Sequence, residues 1–147
     1  MIAAVLDANV LAPAVRGFAN PDNTLGELLR RWRDGRFQLV VSQPILDELS
    51  RTLANSYFSQ SLTDEQRARA VRLLARRARF TPITVEVRSV ASHPEDDLIL
   101  ATAVSARADY LVTGDRQLLK LQSYLGVTIV SPRDFLALLE HRGVHER

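Results

Sequence analysis

Apolar residues recur along the chain in two rhythms, short unbroken runs and helical stripes, and the two alternate. Residues 2–6, Ile2-Ala3-Ala4-Val5-Leu6, form an unbroken apolar run that stops at Asp7, as a buried strand does. A loop containing Pro13, Gly17 and Pro21 is expected next. Leu25, Leu28, Leu29 and Trp32 share one side of a helix expected over 22–34, which Gly35 ends. Residues 37–41 read as the second strand. Ser42 can cap the following helix, Pro44 suits its first turn, and Ile45, Leu46, Leu49 and Leu53 face inward. Thr63 and Gln66 have the capping-box spacing, opening a helix whose buried side is Ala70, Leu73 and Leu74. A third strand, at the sheet edge, is expected over 82–87 and a helix over 96–107. Residues 110–113 predict the fourth strand, and Gly114-Asp115 opens a short helix with Leu118, Leu119 and Leu121 inward. Residues 127–130 predict the fifth strand, and Ser131-Pro132 starts the last helix. A frayed tail is expected over 142–147.

Such alternation predicts an α/β fold of three layers, α/β/α, around a mainly parallel central sheet of about five strands. In such sheets the loops beyond the strand C-termini carry the chemistry. The 147 residues suit a single domain, placed at 2–136, and their 46% apolar content is that of a globular chain. Charged residues interrupt every candidate membrane span, and the opening residues lack a basic leader. Without cysteine there is neither a disulfide framework nor a thiolate metal site, which is compatible with the expected cytoplasmic location.

Net charge, at +2, says little, but its distribution says more. Arg30, Arg31, Arg33 and Arg36 cluster near one helix end, and Arg67, Arg69, Arg72, Arg76, Arg77 and Arg79 crowd another helix. A guanidinium can donate two parallel hydrogen bonds to a phosphate, so the second group is a candidate RNA-binding surface. A solvated face in an arginine-biased sequence, with Lys120 its only lysine, is the plain alternative.

The candidate chemistry lies in four acids. Asp7 ends the first strand, Asp115 follows the fourth, Asp96 starts the helix before the fourth, and Glu48 lies on the helix after the second. If the first and fourth strands are neighbours, all four meet at one edge of the sheet. Gathered carboxylates repel one another and lose hydration, and a divalent cation reverses both costs. Oxygen ligands suit magnesium or manganese, and the absence of cysteine and of paired histidines argues against zinc. Each acid also has a structural reading: Asp7 as a loop cap, Asp115 and Asp96 as helix N-caps, and Glu48 as an ordinary surface glutamate. Glu48 gains weight because its helix faces inward through Ile45, Leu49 and Leu53, with Asp47 turned away. Asn9, Thr113 and Ser42 are candidate supporting groups, Gly114 allows close backbone approach, and Asp97 either supports the site or faces solvent. His93 is a loop histidine, with a general-base role as its alternative, and His141 and His145 receive no role.

Four segments in order resemble the PIN-domain family: Val5-Leu6-Asp7-Ala8-Asn9-Val10-Leu11, Ser42 to Leu49, Pro94 to Ala103, and Tyr110 to Asp115. The likeness spans about residues 2–136 and is closest to toxin components of toxin–antitoxin systems, related to VapC-like toxins. It implies a PIN-like fold and a magnesium- or manganese-dependent endoribonuclease leaving a 5′-phosphate and a 3′-hydroxyl. The resemblance assigns the metal to Asp7, Glu48, Asp96 and Asp115, with Asn9 and Thr113 as polar supports. It further implies a homodimer and a cognate antitoxin. Ala8 departs from the threonine or serine common in the family but leaves the acids intact.

Two rivals stand against it, a phosphate-receiver domain being less favoured because its acids should bunch near the first strand. Asp7-Ala8-Asn9 and Asp96-Asp97 also resemble haloacid-dehalogenase phosphatase motifs, but Asn9 replaces the second aspartate and Lys120 follows the acidic pair instead of preceding it. The other rival is a catalytically inactive PIN-like module that binds RNA or protein.

Overall fold

A computed structural model of the chain describes residues 1–91 and 93–145. The elements, in order, are β1 (Ala3–Leu6), α1 (Ala8–Gly17), α2 (Thr24–Arg33), β2 (Gln38–Val41), α3 (Gln43–Ala54), α4 (Ser56–Ser59) and α5 (Asp64–Arg77). They continue with β3 (Arg79–Phe80), α6 (Pro94–Ser105), β4 (Tyr110–Val112), α7 (Arg116–Leu121), β5 (Ser123–Tyr124), β6 (Val127–Val130) and α8 (Pro132–His145). The strands form one sheet in the order β3-β2-β1-β4-β6-β5, parallel throughout except for the β5–β6 pair. Helices on both faces complete the three-layer α/β/α fold.

The all-apolar β1 lies between β2 and β4, where every one of its residues is buried. Val5 aligns with Val40 on one side and Leu111 on the other, so β1, β2 and β4 end at one edge of the sheet. The first and fourth predicted strands are therefore neighbours. At the opposite end of the chain, Phe135 of α8 meets Phe37 edge-on, with ring centroids 5.0 Å apart.

Several expectations from sequence are corrected. The loop expected after Asn9 is instead helix α1, with Pro13 inside it. Pro13 removes one helical N–H, but Val10, Leu11, Ala12 and Ala14 bury there, and packing outweighs the local penalty. The strand expected over 82–87 is absent. Pairing with β2 begins at Arg79 and ends with the Thr81 N–H to Val41 O bond at 2.9 Å, because Pro82 has no N–H to continue the ladder. Thr84 and Val85 then donate their N–H groups to Ser105 Oγ on α6, at 2.9 and 3.3 Å. Strand β5, unforeseen, joins β6 through Leu125 and Gly126, whose positive φ angles of 45° and 87° make a tight hairpin turn. Helix α6 starts at Pro94 instead of 96, with His93 at its N-cap. Helix α8 reaches His145, so the tail expected over 142–147 is helical at its start, and its last two residues lie outside the described residues. The Thr63–Gln66 capping box is present in full.

The loop between α1 and α2 is tied down by one side chain. The Arg30 guanidinium donates to the carbonyls of Phe18, Asn20 and Asn23, each at 2.9 Å, and pairs with Glu27 at 3.0 Å. Gly17 and Gly26 let the two helices touch, since a Cβ on Gly26 would stand 2.2 Å from Gly17 O. Arg30 and Arg31 of the first arginine cluster are thus engaged within the fold, Arg31 with Glu27 and Glu140.

Candidate active site

Asp7 is where the central strand stops. Its N–H completes the sheet ladder on Val112 O at 3.0 Å, and its carbonyl accepts the first bonds of α1. The side chain is left at the sheet edge, only 4% exposed. Oδ2 accepts from the Thr113 hydroxyl at 2.8 Å, and Oδ1 accepts from the Asn9 N–H at 3.4 Å. Burial pushes this carboxyl above the usual carboxylate range, against the pull of those bonds, and the charge of Asp115 adds to the rise.

Thr113 is fully buried, and its Oγ also accepts the Asp115 N–H at 3.0 Å. One hydroxyl therefore fixes the side chain of one acid and the backbone of the next. Asp115 is the N-cap of α7, its Oδ1 accepting from Gln117 N at 2.7 Å. Capping and membership of the acidic group are compatible here. Asp96 is the third residue of α6, past the N-cap position that His93 occupies. Partial burial raises its pKa to about 6, and repulsion from Asp115 and then Asp7 contributes. Asp7, Asp96 and Asp115 thus act on one another electrostatically.

Other candidates fall elsewhere. Asp97 is buried and faces away: its carboxylate accepts the N–H groups of Ser89 at 3.0 Å, Val90 at 3.2 Å and Ala91 at 2.7 Å. It ties down the loop before α6, so the solvent-facing reading is corrected, and of the two neighbouring acids it is Asp96 that feels Asp115 and Asp7. Ser42 holds the N-cap position of α3 but makes no capping bond; its Oγ pairs instead with buried Thr102 at 2.8 Å. Asn9 is exposed and reaches Asp7 through its backbone. Gly114 faces open space, where a Cβ would meet nothing within 4 Å, so no close approach within the fold requires glycine there.

Glu48 is engaged by a cation on its own helix. It is half-exposed and pairs with Arg51 at 2.6 Å, one helical turn on. Both line a cavity of about 280 Å³ with Ala8, Pro44, Glu95 and Leu98. Asp47, expected to turn away, lies on the same rim. Among the described residues, no group of three or more acidic or histidine side chains stands close enough to hold one ion.

Of the second arginine cluster, Arg67 is bound to Asp64 and to Leu62 O, and Arg79 to Gln38 and Ala106 O. Arg69, Arg72, Arg76 and Arg77 are exposed on α5, which buries only Leu74. Sequence reasoning missed Arg51, Glu95, Thr102 and Asp109. The spacing of Glu48 and Arg51, three apart on a helix, was the available signal for one of these. Asp109, which accepts the Ala3 N–H at 2.9 Å, carried none.

Among the described residues no helix is long and apolar enough to cross a membrane. No curated protein matches the chain. Solved structures of similar fold include VapBC2 from Rickettsia felis bound to a DNA fragment from its promoter, with 17% identity, 88% of this chain and 98% of that chain covered, and a TM-score of 0.61. FitAB bound to an IR36 DNA fragment is similar at 21% identity, with 88% and 94% covered and a TM-score of 0.55. Residues 3–117 match the PIN domain, and on that match over most of its length the chain belongs to the PIN-domain family.

Proposed function

We propose that the chain is a metal-dependent endoribonuclease, the toxin component of a toxin–antitoxin pair, acting in the cytoplasm with magnesium or manganese. The observation that carries this reading is the gathering of Asp7 and Asp115 around Thr113 at the edge where β1 and β4 end, with Asp96 within electrostatic reach of both. Burial, with neighbouring negative charge added, makes ionised Asp7 and Asp96 costly, and a doubly charged ion offsets such a cost. The donor chemistry fits, since the acids offer only hard oxygen atoms. The arrangement fits in part. Asp7 is fixed by Thr113, while Asp96, Asp115 and Glu48 are more exposed and must turn to close a set around one ion.

In this reading Asp7, Asp96 and Asp115 hold the ion, and Glu48 completes or bridges the site. A bound divalent cation supplies Lewis acidity for activating water and for the charge on a phosphodiester. Thr113 keeps Asp7 in one orientation. The exposed arginines of α5, Arg69, Arg72, Arg76 and Arg77, attract the RNA backbone. The likeness to VapBC2 and FitAB supports an antitoxin partner, and family resemblance supports a homodimer. The family match leaves the phosphatase alternative without support.

The inactive binding module is favoured by one observation, the absence of a closed three-residue ligand group among the described residues. Incubation with RNA and magnesium, with and without chelator, separates the two. The nuclease reading expects cleavage that chelator abolishes and that Asp7→Asn and Asp96→Asn lose while remaining folded by circular dichroism. Cleavage that persists in those variants, or RNA binding without cleavage in any preparation, overturns it.

A further inference from the structure

Glu48 is already paired with a cation on its own helix. Arg51 donates to its Oε2 at 2.6 Å, and both side chains line the cavity between α3 and α6, beside the residue that follows Asp7. The charges acting on Arg51 come from both helices: Glu48 and Asp47 on α3, and Glu95 on α6, next to Asp96. We infer that Arg51 is a positioning residue for Glu48, holding its carboxylate on the cavity side and competing with the divalent cation for it. The inference rests on the metal-dependent reading above.

Three features suit Arg51 to exchange. The pair is exposed, with relative side-chain exposures of 67% and 41%, so water replaces each partner readily. Asp47 and Glu95 remain beside the guanidinium after Glu48 turns away, so its charge is not stranded. Glu48 itself is anchored on a helix whose Ile45 and Leu49 are buried, so only its side chain needs to move.

The test is Mn2+ binding to the intact chain by isothermal titration calorimetry, which reads the ion without turnover. Wild type, Arg51→Ala, Arg51→Lys, Glu48→Gln and the Arg51→Ala/Glu48→Gln double variant are compared. Arg51→Ala is expected to bind Mn2+ on the order of threefold to tenfold more tightly, the scale of one screened unit charge removed. Arg51→Lys should stay near wild type. In the Glu48→Gln background the Arg51→Ala effect should vanish, which a general field effect would not do. Unchanged or weaker binding by Arg51→Ala, or an equal gain in the Glu48→Gln background, overturns the inference while leaving the metal site standing. Absence of Mn2+ binding to every protein sinks the metal-dependent reading and this inference together.

Discussion

The Thr113 hydroxyl donates to Asp7 Oδ2 at 2.8 Å across the pairing of β1 and β4. It is a buried bond between side chains 106 residues apart in the chain. Through its second bond, to the Asp115 N–H, it also sets where the chain turns into α7.

Replacing Thr113 with valine keeps the shape and removes both bonds. A buried carboxylate then loses its side-chain donor, and the fold is expected to lose about 1–3 kcal/mol in urea denaturation. Thr113→Ser, which keeps the hydroxyl, should lose less. Equal stability of wild type and Thr113→Val would show that the bond contributes nothing.

Asp96 makes stability depend on pH in an unusual direction for a carboxylate. Its pKa is raised from 3.8 to about 6, so the folded chain binds its proton before the unfolded chain does. Above the folded value both states are ionised and the penalty is fully present. As pH falls through 6 toward 3.8 the penalty is relieved. In chelator, the thermal midpoint of wild type relative to Asp96→Asn should therefore rise as pH falls through that window. Manganese at neutral pH should raise the wild-type midpoint and leave Asp96→Asn nearly unchanged. A pH profile parallel to that of Asp96→Asn would contradict the assignment.

Asp97 and Asp96 are adjacent but should behave oppositely. Asp97→Asn removes charge-assisted acceptors from the N–H groups of Ser89, Val90 and Ala91. Faster amide hydrogen exchange at those positions is expected, with Mn2+ affinity little changed. A large loss of Mn2+ affinity in Asp97→Asn, without one in Asp96→Asn, would reverse the two roles.

The arginines of the second cluster divide into Arg67 and Arg79, bonded within the fold, and four exposed on α5, and salt dependence can separate them. Changing Arg69, Arg72, Arg76 and Arg77 to glutamine should flatten the slope of log affinity for single-stranded RNA against log salt, by about 0.7 for each phosphate no longer neutralised. Arg67→Gln and Arg79→Gln should instead lower stability, since their guanidinium groups bond within the fold. A salt slope unmoved by the fourfold change would remove α5 from the RNA surface.

Sequence rhythm was informative where one local rule decided the outcome. The apolar run ending at Asp7 pointed to both a central strand and the first acid, and Thr63 with Gln66 marked a helix start. It was uninformative where distant packing decided. Pro13 reads as a loop until the burial of Leu11 and Ala12 is known, and Thr84 and Val85 read as a strand until Ser105 takes their N–H groups. Asp96 and Asp97 are chemically identical in sequence; only helix phase separates them, sending one toward Asp7 and the other to its own loop. Glu48 was legible as an acid on an inward-facing helix, but its pairing depended on which rotamer met Arg51.

Because β1 is flanked by β4 as well as by β2, the earliest acid waits for the latest. Until residues 110–115 have been synthesised and have docked, Asp7 lacks both its second flanking strand and its hydroxyl partner. Closing so long a loop is among the slower steps in acquiring structure. A polypeptide interrupted anywhere before residue 110 would lack β4, Thr113 and Asp115, and with them the bond that fixes the Asp7 carboxylate, so prematurely terminated products would not assemble the acidic group.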